Sequence, residues 1–154
     1  MAKAMAPLFT IGYEQAASEA VLNELTNARV DLLVDVRAVS ASRRPGFSKR
    51  QLAAALDERG VGYLHLRALG TPAEGRQAAR SGRSAEMFRI FDRHLKTPGA
   101  REAMDELTTL VRSGRRVCLL CYERDHAHCH RRRVAELVCE QVGTKVDHLA
   151  PPLF

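Results

Sequence analysis

The sequence predicts an α/β domain with a mainly parallel sheet of about five strands and helices on both faces, a Rossmann-like three-layer arrangement. Three observations carry this expectation. Short apolar runs lack the polar alternation of a half-exposed strand, which suits strands buried on both faces. Amphipathic stretches of helical period lie between them, and the two kinds of segment alternate along the chain, as βαβ crossovers require.

The first strand is read at LFTIGY (8–13) and the second at DLLVDVR (31–37). Between them SEAVLNELTNAR (18–29) sets Val21, Leu22, Leu25 and Ala28 on one stripe, the mark of a helix with a single buried face. A Pro-Gly turn follows, then Ser48 and Gln51 at capping-box spacing open a helix whose stripe is Leu52, Ala55 and Leu56, ending near Gly60. VGYLHL (61–66) is a third strand, and the Gly-, Arg- and Pro-containing segment 67–83 reads as a long surface loop. A helix over about 84–96 carries Met87, Ile90, Phe91 and Leu95. The next is opened by Thr97 with Pro98 at its first position and closes near Gly114. RRVCLLCYE (115–123) is a strand, HRRRVAELVCEQV (130–142) a helix ended by Gly143, and KVDHL (145–149) a short last strand. One domain is expected over 8–154, with residues 1–7 loosely held.

At 154 residues the chain can bury a core without a metal or disulfide to hold it. It has no run of eighteen apolar residues, and MAKAMAPLFT lacks the regions of a signal peptide, so a cytoplasmic protein with no membrane association is expected. Four cysteines in that setting read as reduced thiols rather than a disulfide framework. The net charge of +6 favours an acidic partner, a phosphate-bearing ligand such as a nucleotide or nucleic acid. Nearly all of the 24 basic residues are arginine and alanine is abundant, which a GC-rich genome also gives, so only clustered arginines count as a signal.

In parallel α/β sheets ligands bind beyond the carboxyl ends of the strands. That rule singles out Gly12 and Tyr13, Asp35 and Arg37, His65, and Cys121 and Glu123. Four segments in order, TIGYE (10–14), LVDVRAVSASRRPGFSK (33–49), YLHLRALGTP (63–72) and LLCYERDHAHCHRRRVAE (119–136), together resemble the bacterial and archaeal family called domain of unknown function 488. The resemblance implies a single compact α/β domain. It also marks Ser42, Arg43, Pro45, Phe47, Ser48, Gly70, Cys129, His130 and Arg131 as signature positions beside those at the strand ends. It implies no activity. A weaker likeness to rhodanese and Cys-dependent phosphatase domains rests on VDVR and on the order strand, Cys121, loop, Arg131, helix. Nine residues separate Cys121 from Arg131 here, more than that loop pattern takes.

The segment CLLCYERDHAHCHRRR (118–133) holds three of the four cysteines and three of the six histidines. Its C-x₂-C tempts a zinc reading, but residues three apart on a strand face opposite ways, so Cys118 is assigned to the core. Cys139, inside the last long helix, is assigned to the core too. Cys121, His126, His128, Cys129 and His130 match no common structural zinc spacing, and no metal or cofactor is expected. Cys121 and Cys129 lie near the start of the last long helix, where a thiolate is favoured; Cys121 is either an activated thiol or an inert core residue, and Cys129 stays open. The same helix start, with His130, Arg131, Arg37 and Arg43, is read as an anion cradle. Arg132 and Arg133 point elsewhere around the helix.

Asp35 is either a structural partner of nearby arginines or a general base. Glu123 is read as a general acid/base. Tyr13 either meets a ligand or covers the sheet edge. The loop SASRRPGFSK, with Arg43, Arg44, Lys49 and Arg50 around Phe47, suits a nucleic-acid backbone with one stacked base, or a Phe47 plug under a charged turn. The expectation is a polar pocket at the sheet's carboxyl edge that binds a phosphate-bearing ligand. The reading is an enzyme, a hydrolase or group transferase using Glu123 and Asp35, with covalent chemistry at Cys121 or Cys129 the outside case. Its alternatives are a noncatalytic nucleic-acid-binding module and a rhodanese- or phosphatase-like enzyme. The sequence leaves the oligomeric state open.

Overall fold

The computed structural model describes residues 5–154. Five strands, β1 (Leu8–Gly12), β2 (Leu32–Asp35), β3 (Gly62–His65), β4 (Val117–Cys121) and β5 (Val146–Leu149), form one sheet in the order β3-β2-β4-β1-β5. Every pairing is parallel, and the register sets Gly12 beside Cys121 and Asp35 beside Leu120 and His65. Six helices connect them: α1 (Ser18–Asn27), α2 (Lys49–Glu58), α3 (Ala73–Arg80), α4 (Ser84–His94), α5 (Pro98–Arg112) and α6 (His130–Val142).

The apolar runs sort onto two faces with strand period. Phe9, Ile11, Leu33, Cys118 and Leu120 pack under α1 and α2, against Val21, Leu25, Leu52 and Leu56. Leu8, Leu32, Val34, Leu119 and Cys121 pack on the opposite side against Ala78 of α3, Met87 and Phe91 of α4, Leu107 of α5 and Val134 and Val138 of α6. Both faces are covered, which explains why no strand shows polar alternation.

Handedness then decides where the site lies. The chain moves outward from β1 to β2 to β3 with α1 and α2 on one face. It returns inward to β4 and on to β5 with α3 to α6 on the other, as right-handed crossovers demand. The loops leaving β1 and β2 therefore diverge from the loop leaving β4. The crevice at the carboxyl end of β4 is the switch point of the sheet.

Two local expectations need correction. The segment read as a long loop, 67–83, contains a 3₁₀ turn at Arg67–Leu69 and the helix α3. AEGRQAAR buries only Gly75 and Ala78, so it lacks the large apolar stripe that announces a helix in sequence. At the start of α2, the Ser48 hydroxyl turns back to Ser42, accepting from its N–H and donating to its carbonyl at 3.0 Å each, and Gln51 accepts from the Gly46 N–H instead. Serine still occupies the cap position, but its side chain closes the preceding loop rather than a capping box. Of the stretch 1–7 expected to be loosely held, residues 1–4 lie outside the described residues, and Ala6 accepts a hydrogen bond from Thr144. The last long helix spans 130–142 as expected and stops at Gly143, whose φ of 82° is left-handed. Among the described residues no helix is long and apolar enough to cross a membrane.

Candidate functional site

A cavity of about 430 Å³ opens at the carboxyl end of β4. Its floor carries Cys121, Glu123 and His130, one side carries Tyr13, Glu14, Arg37 and Tyr122, and α3 supplies Arg76 and Arg80 with Met87 of α4 beside them. The sequence assigned Cys121, Glu123, His130, Tyr13 and Arg37 to a common edge, and the fold does bring those five together.

His130 is fixed by its first position on α6. Its Nε2 lies 2.8 Å from the carbonyl oxygen of Val36 at the end of β2, and its ring meets Phe91 edge-on at 5.1 Å. A carbonyl only accepts, so Nε2 carries the proton and Nδ1 faces the thiols. Nδ1 is 3.6 Å from Cys121 Sγ and 4.0 Å from Cys129 Sγ. The Cys121 thiol is also 3.4 Å from a Glu123 carboxylate oxygen. Cys121, Cys129 and His130 are all buried, and one ligand-type atom from each lies within 4.8 Å of the others.

Electrostatics separate the two thiols. Cys121 is held well above the usual thiol range by its hydrogen bond to Cys129 and by burial. Burial pushes Cys129 the same way, yet hydrogen bonds from Cys121 and His130 and the nearby charge of His130 and Arg131 bring it well below that range. The two thiols are thus pushed in opposite directions by their shared surroundings. Burial works to lower His130, but the hydrogen bond and charge of Cys129 raise it. Glu123 is pushed up to about 7 by burial and by the Cys129 charge.

The other expected residues serve the walls. Asp35 is fully buried, and its two carboxylate oxygens accept from the Arg37 backbone N–H at 3.0 Å, Arg37 Nε at 2.9 Å, an Arg37 terminal nitrogen at 2.7 Å and the Tyr63 hydroxyl at 2.6 Å. This is the structural alternative stated for Asp35, and the carboxylate does not line the cavity. Burial alone would lower Arg37, but the Asp35 carboxylate holds it above its ordinary value. Arg37 also donates to the Tyr13 hydroxyl and the Phe47 carbonyl, so all its nitrogens are engaged. Tyr13 stacks on Phe47 with centroids 4.2 Å apart, and Phe47 is buried: the aromatic of the basic loop is a core plug.

Arg131, expected as the anion donor, points the other way. Its guanidinium bonds Thr10 Oγ1 and the carbonyl oxygens of Glu123 and Arg124, and it is 1% exposed, so it holds the loop rather than lining the cavity. No arginine therefore closes over the thiol in the rhodanese or phosphatase manner through this residue. Ser42 and Arg43 lie in the turn before α2, Ser42 accepting from Arg44 N–H and Arg43 exposed. His65 Nε2 lies 2.7 Å from the Arg37 carbonyl. Gly12 packs under the Glu123 backbone, where a Cβ would sit 1.9 Å from the carbonyl oxygen. Cys118 is fully buried on the far face of the sheet and Cys139 is buried in the α6 core, as assigned.

Arg76 and Arg80 were not singled out in the sequence. They stand four apart on α3 and so share a face toward the cavity. The available signal was that i, i+4 spacing, hidden because the segment read as loop.

No curated protein and no solved structure matches the chain. A family profile described as domain of unknown function DUF488 matches residues 17–138, which take in α1 through most of α6 together with Cys121, Glu123, Cys129 and His130. With most of its length matched, the chain belongs to the DUF488 family.

Proposed function

We propose that this DUF488 domain is an enzyme that binds a phosphate-bearing ligand in the cavity at the carboxyl end of β4 and performs hydrolysis or group transfer on it. One observation carries the reading. Two arginines of one helix face, Arg76 and Arg80, line the same cavity as the carboxyl, thiol and imidazole of Glu123, Cys121 and His130. Arg80 is exposed and Arg76 half-buried, and each side chain makes one hydrogen bond, to Gln77 and to the Thr71 carbonyl, so donors remain for an anion. A passive anion site has no use for a carboxyl and a thiol in its lining. Glu123 is the group placed to move a proton at the ligand, since it lines the cavity together with the α3 arginines. Tyr13 and Arg37 form a rigid wall, because the stacking on Phe47 and the bonds to Asp35 leave them no freedom.

Calorimetric titration with inorganic phosphate, pyrophosphate and nucleotides tests the reading. The paired change Arg76→Ala and Arg80→Ala removes two charge-assisted contacts and should weaken the bound anion by roughly 1.5–3 kcal/mol for each contact made. Lys49→Ala with Arg50→Ala, both exposed at the start of α2, should change nothing. The opposite pattern, with single-stranded polynucleotide binding that weakens steeply with salt and depends on Arg43, Lys49 and Arg50, would replace the enzyme by a noncatalytic nucleic-acid-binding module.

A further inference from the structure

We infer that Cys121, Cys129 and His130 form a zinc site, with a fourth coordination position facing the cavity. The proposal goes beyond the anion-binding reading and does not depend on it.

The geometry comes first. A tetrahedral ion with zinc–sulfur bonds of about 2.3 Å and a zinc–nitrogen bond of about 2.0 Å sets its sulfur and nitrogen ligands about 3.5 Å apart. His130 Nδ1 stands 3.6 Å from one sulfur and 4.0 Å from the other, and all three ligand atoms lie within 4.8 Å of one another. The Nδ1–Cys121 distance already matches that spacing, and the Nδ1–Cys129 distance exceeds it by about half an ångström. The residue types are those that zinc takes with an open position: two thiolates and one imidazole.

The surroundings of the histidine are the second observation. Nε2 donates to the Val36 carbonyl, which fixes the ring and turns Nδ1 toward the two sulfurs. An outer hydrogen bond from the far nitrogen of the ring is what zinc-binding histidines generally have.

Placement distinguishes this cluster from a buried structural knot. Cys121 and His130 line the cavity and Cys129 does not, so an ion among the three would have its open side on the cavity that Arg76 and Arg80 also line. Glu123 lies next to that opening, with a carboxylate oxygen 3.4 Å from Cys121 Sγ. A ligand oxygen, from phosphate or water, is the chemistry that fits the fourth position. The objection to zinc from the C-x₂-C spacing applies to Cys118, which faces the other side of the sheet. It does not touch this set, because the second thiol comes from the start of α6.

The experiment uses the full chain, reduced, stripped with chelator and dialysed, then titrated with cobalt(II) and with zinc. The expected result is one metal per chain by elemental analysis, a thiolate-to-cobalt charge-transfer band with visible bands of a tetrahedral ion, and loss of both on adding zinc. Cys129→Ser and His130→Gln should each weaken cobalt binding by more than the 10–100-fold typical of losing an outer-shell partner. Cys139→Ser, a buried thiol elsewhere, should leave the spectrum unchanged. Should a variant fail to fold, the wild-type spectrum decides alone, since its charge-transfer band requires bound thiolate. Absence of that band in the wild-type chain, or full-strength bands in folded Cys129→Ser, overturns the site. Phosphate titration of the stripped protein reads the arginine contacts separately, so loss of the metal site and loss of anion binding are told apart.

Discussion

Gly12 and Glu123 meet backbone to backbone: a Cβ on Gly12 would lie 1.9 Å from the Glu123 carbonyl oxygen and 2.6 Å from its carbon. The carbonyl is held from the other side by the Arg131 guanidinium. The loop after β4 is thus clamped between the end of β1 and the first turn of α6, and that clamp sets where the Glu123 side chain enters the cavity. Gly12→Ala must push the loop outward. The expected cost is about 1–3 kcal/mol of stability together with weaker phosphate binding, measured by urea unfolding and by titration on the same sample.

Arg131 and Arg132 are adjacent in sequence and opposite in consequence. Removing the Arg131 side chain leaves Thr10 and two loop carbonyls without their donor, so Arg131→Ala should lower stability by about 2–4 kcal/mol. Arg132 makes an exposed i, i+4 pair with Glu136, and Arg132→Ala should cost less than about 0.5 kcal/mol. Equal losses in denaturant melts would contradict the clamp.

The Asp35–Arg37 pair is buried on both sides, with 0% and 5% exposure. Truncating one partner leaves an uncompensated buried charge, so Asp35→Ala should destabilise by about 3–5 kcal/mol. Asp35→Asn keeps the shape but not the charge. Thermal melts of both variants should therefore show a loss for each, larger for alanine.

Acid should weaken the fold through His148. Burial and the stacked His126 ring, 3.6 Å away, lower its pKa from 6.5 to about 4, with Arg131 and Arg132 adding to the effect and Asp147 opposing it. Nδ1 also meets Thr10 Oγ1 at 2.5 Å. The unfolded chain takes up this proton near 6.5 and the folded chain only near 4, so stability falls as pH drops through that window. Urea midpoints measured from pH 7 to pH 4 should decline, and His148→Asn should flatten the slope. An unchanged slope in the variant would assign the acid sensitivity to other groups.

The sequence by itself determined the strands, most of the helices and their alternation, because burial on two faces and helical stripes are local patterns written in runs such as DLLVDVR and SEAVLNELTNAR. The right-handed crossover rule then carried Tyr13, Arg37, Cys121 and Glu123 to one edge without any coordinates. Only the tertiary structure decided what each side chain does there. Whether Arg131 points into the cavity or under the loop depends on where Thr10 and the Glu123 carbonyl lie, which is set by the packing of α6 on β1 and β4. Asp35 is legible as a carboxylate at a strand end, but its four hydrogen bonds come partly from Tyr63, 28 residues away. Arg76 and Arg80 stayed hidden because α3 buries only a glycine and an alanine and therefore carries no apolar signature. The Cys121–Cys129–His130 cluster has no sequence spacing to announce it, since the chain leaves the sheet, makes a turn and re-enters at a helix start before the ligand atoms converge. Spacing along a chain reports geometry only within one regular element, and this cluster joins two.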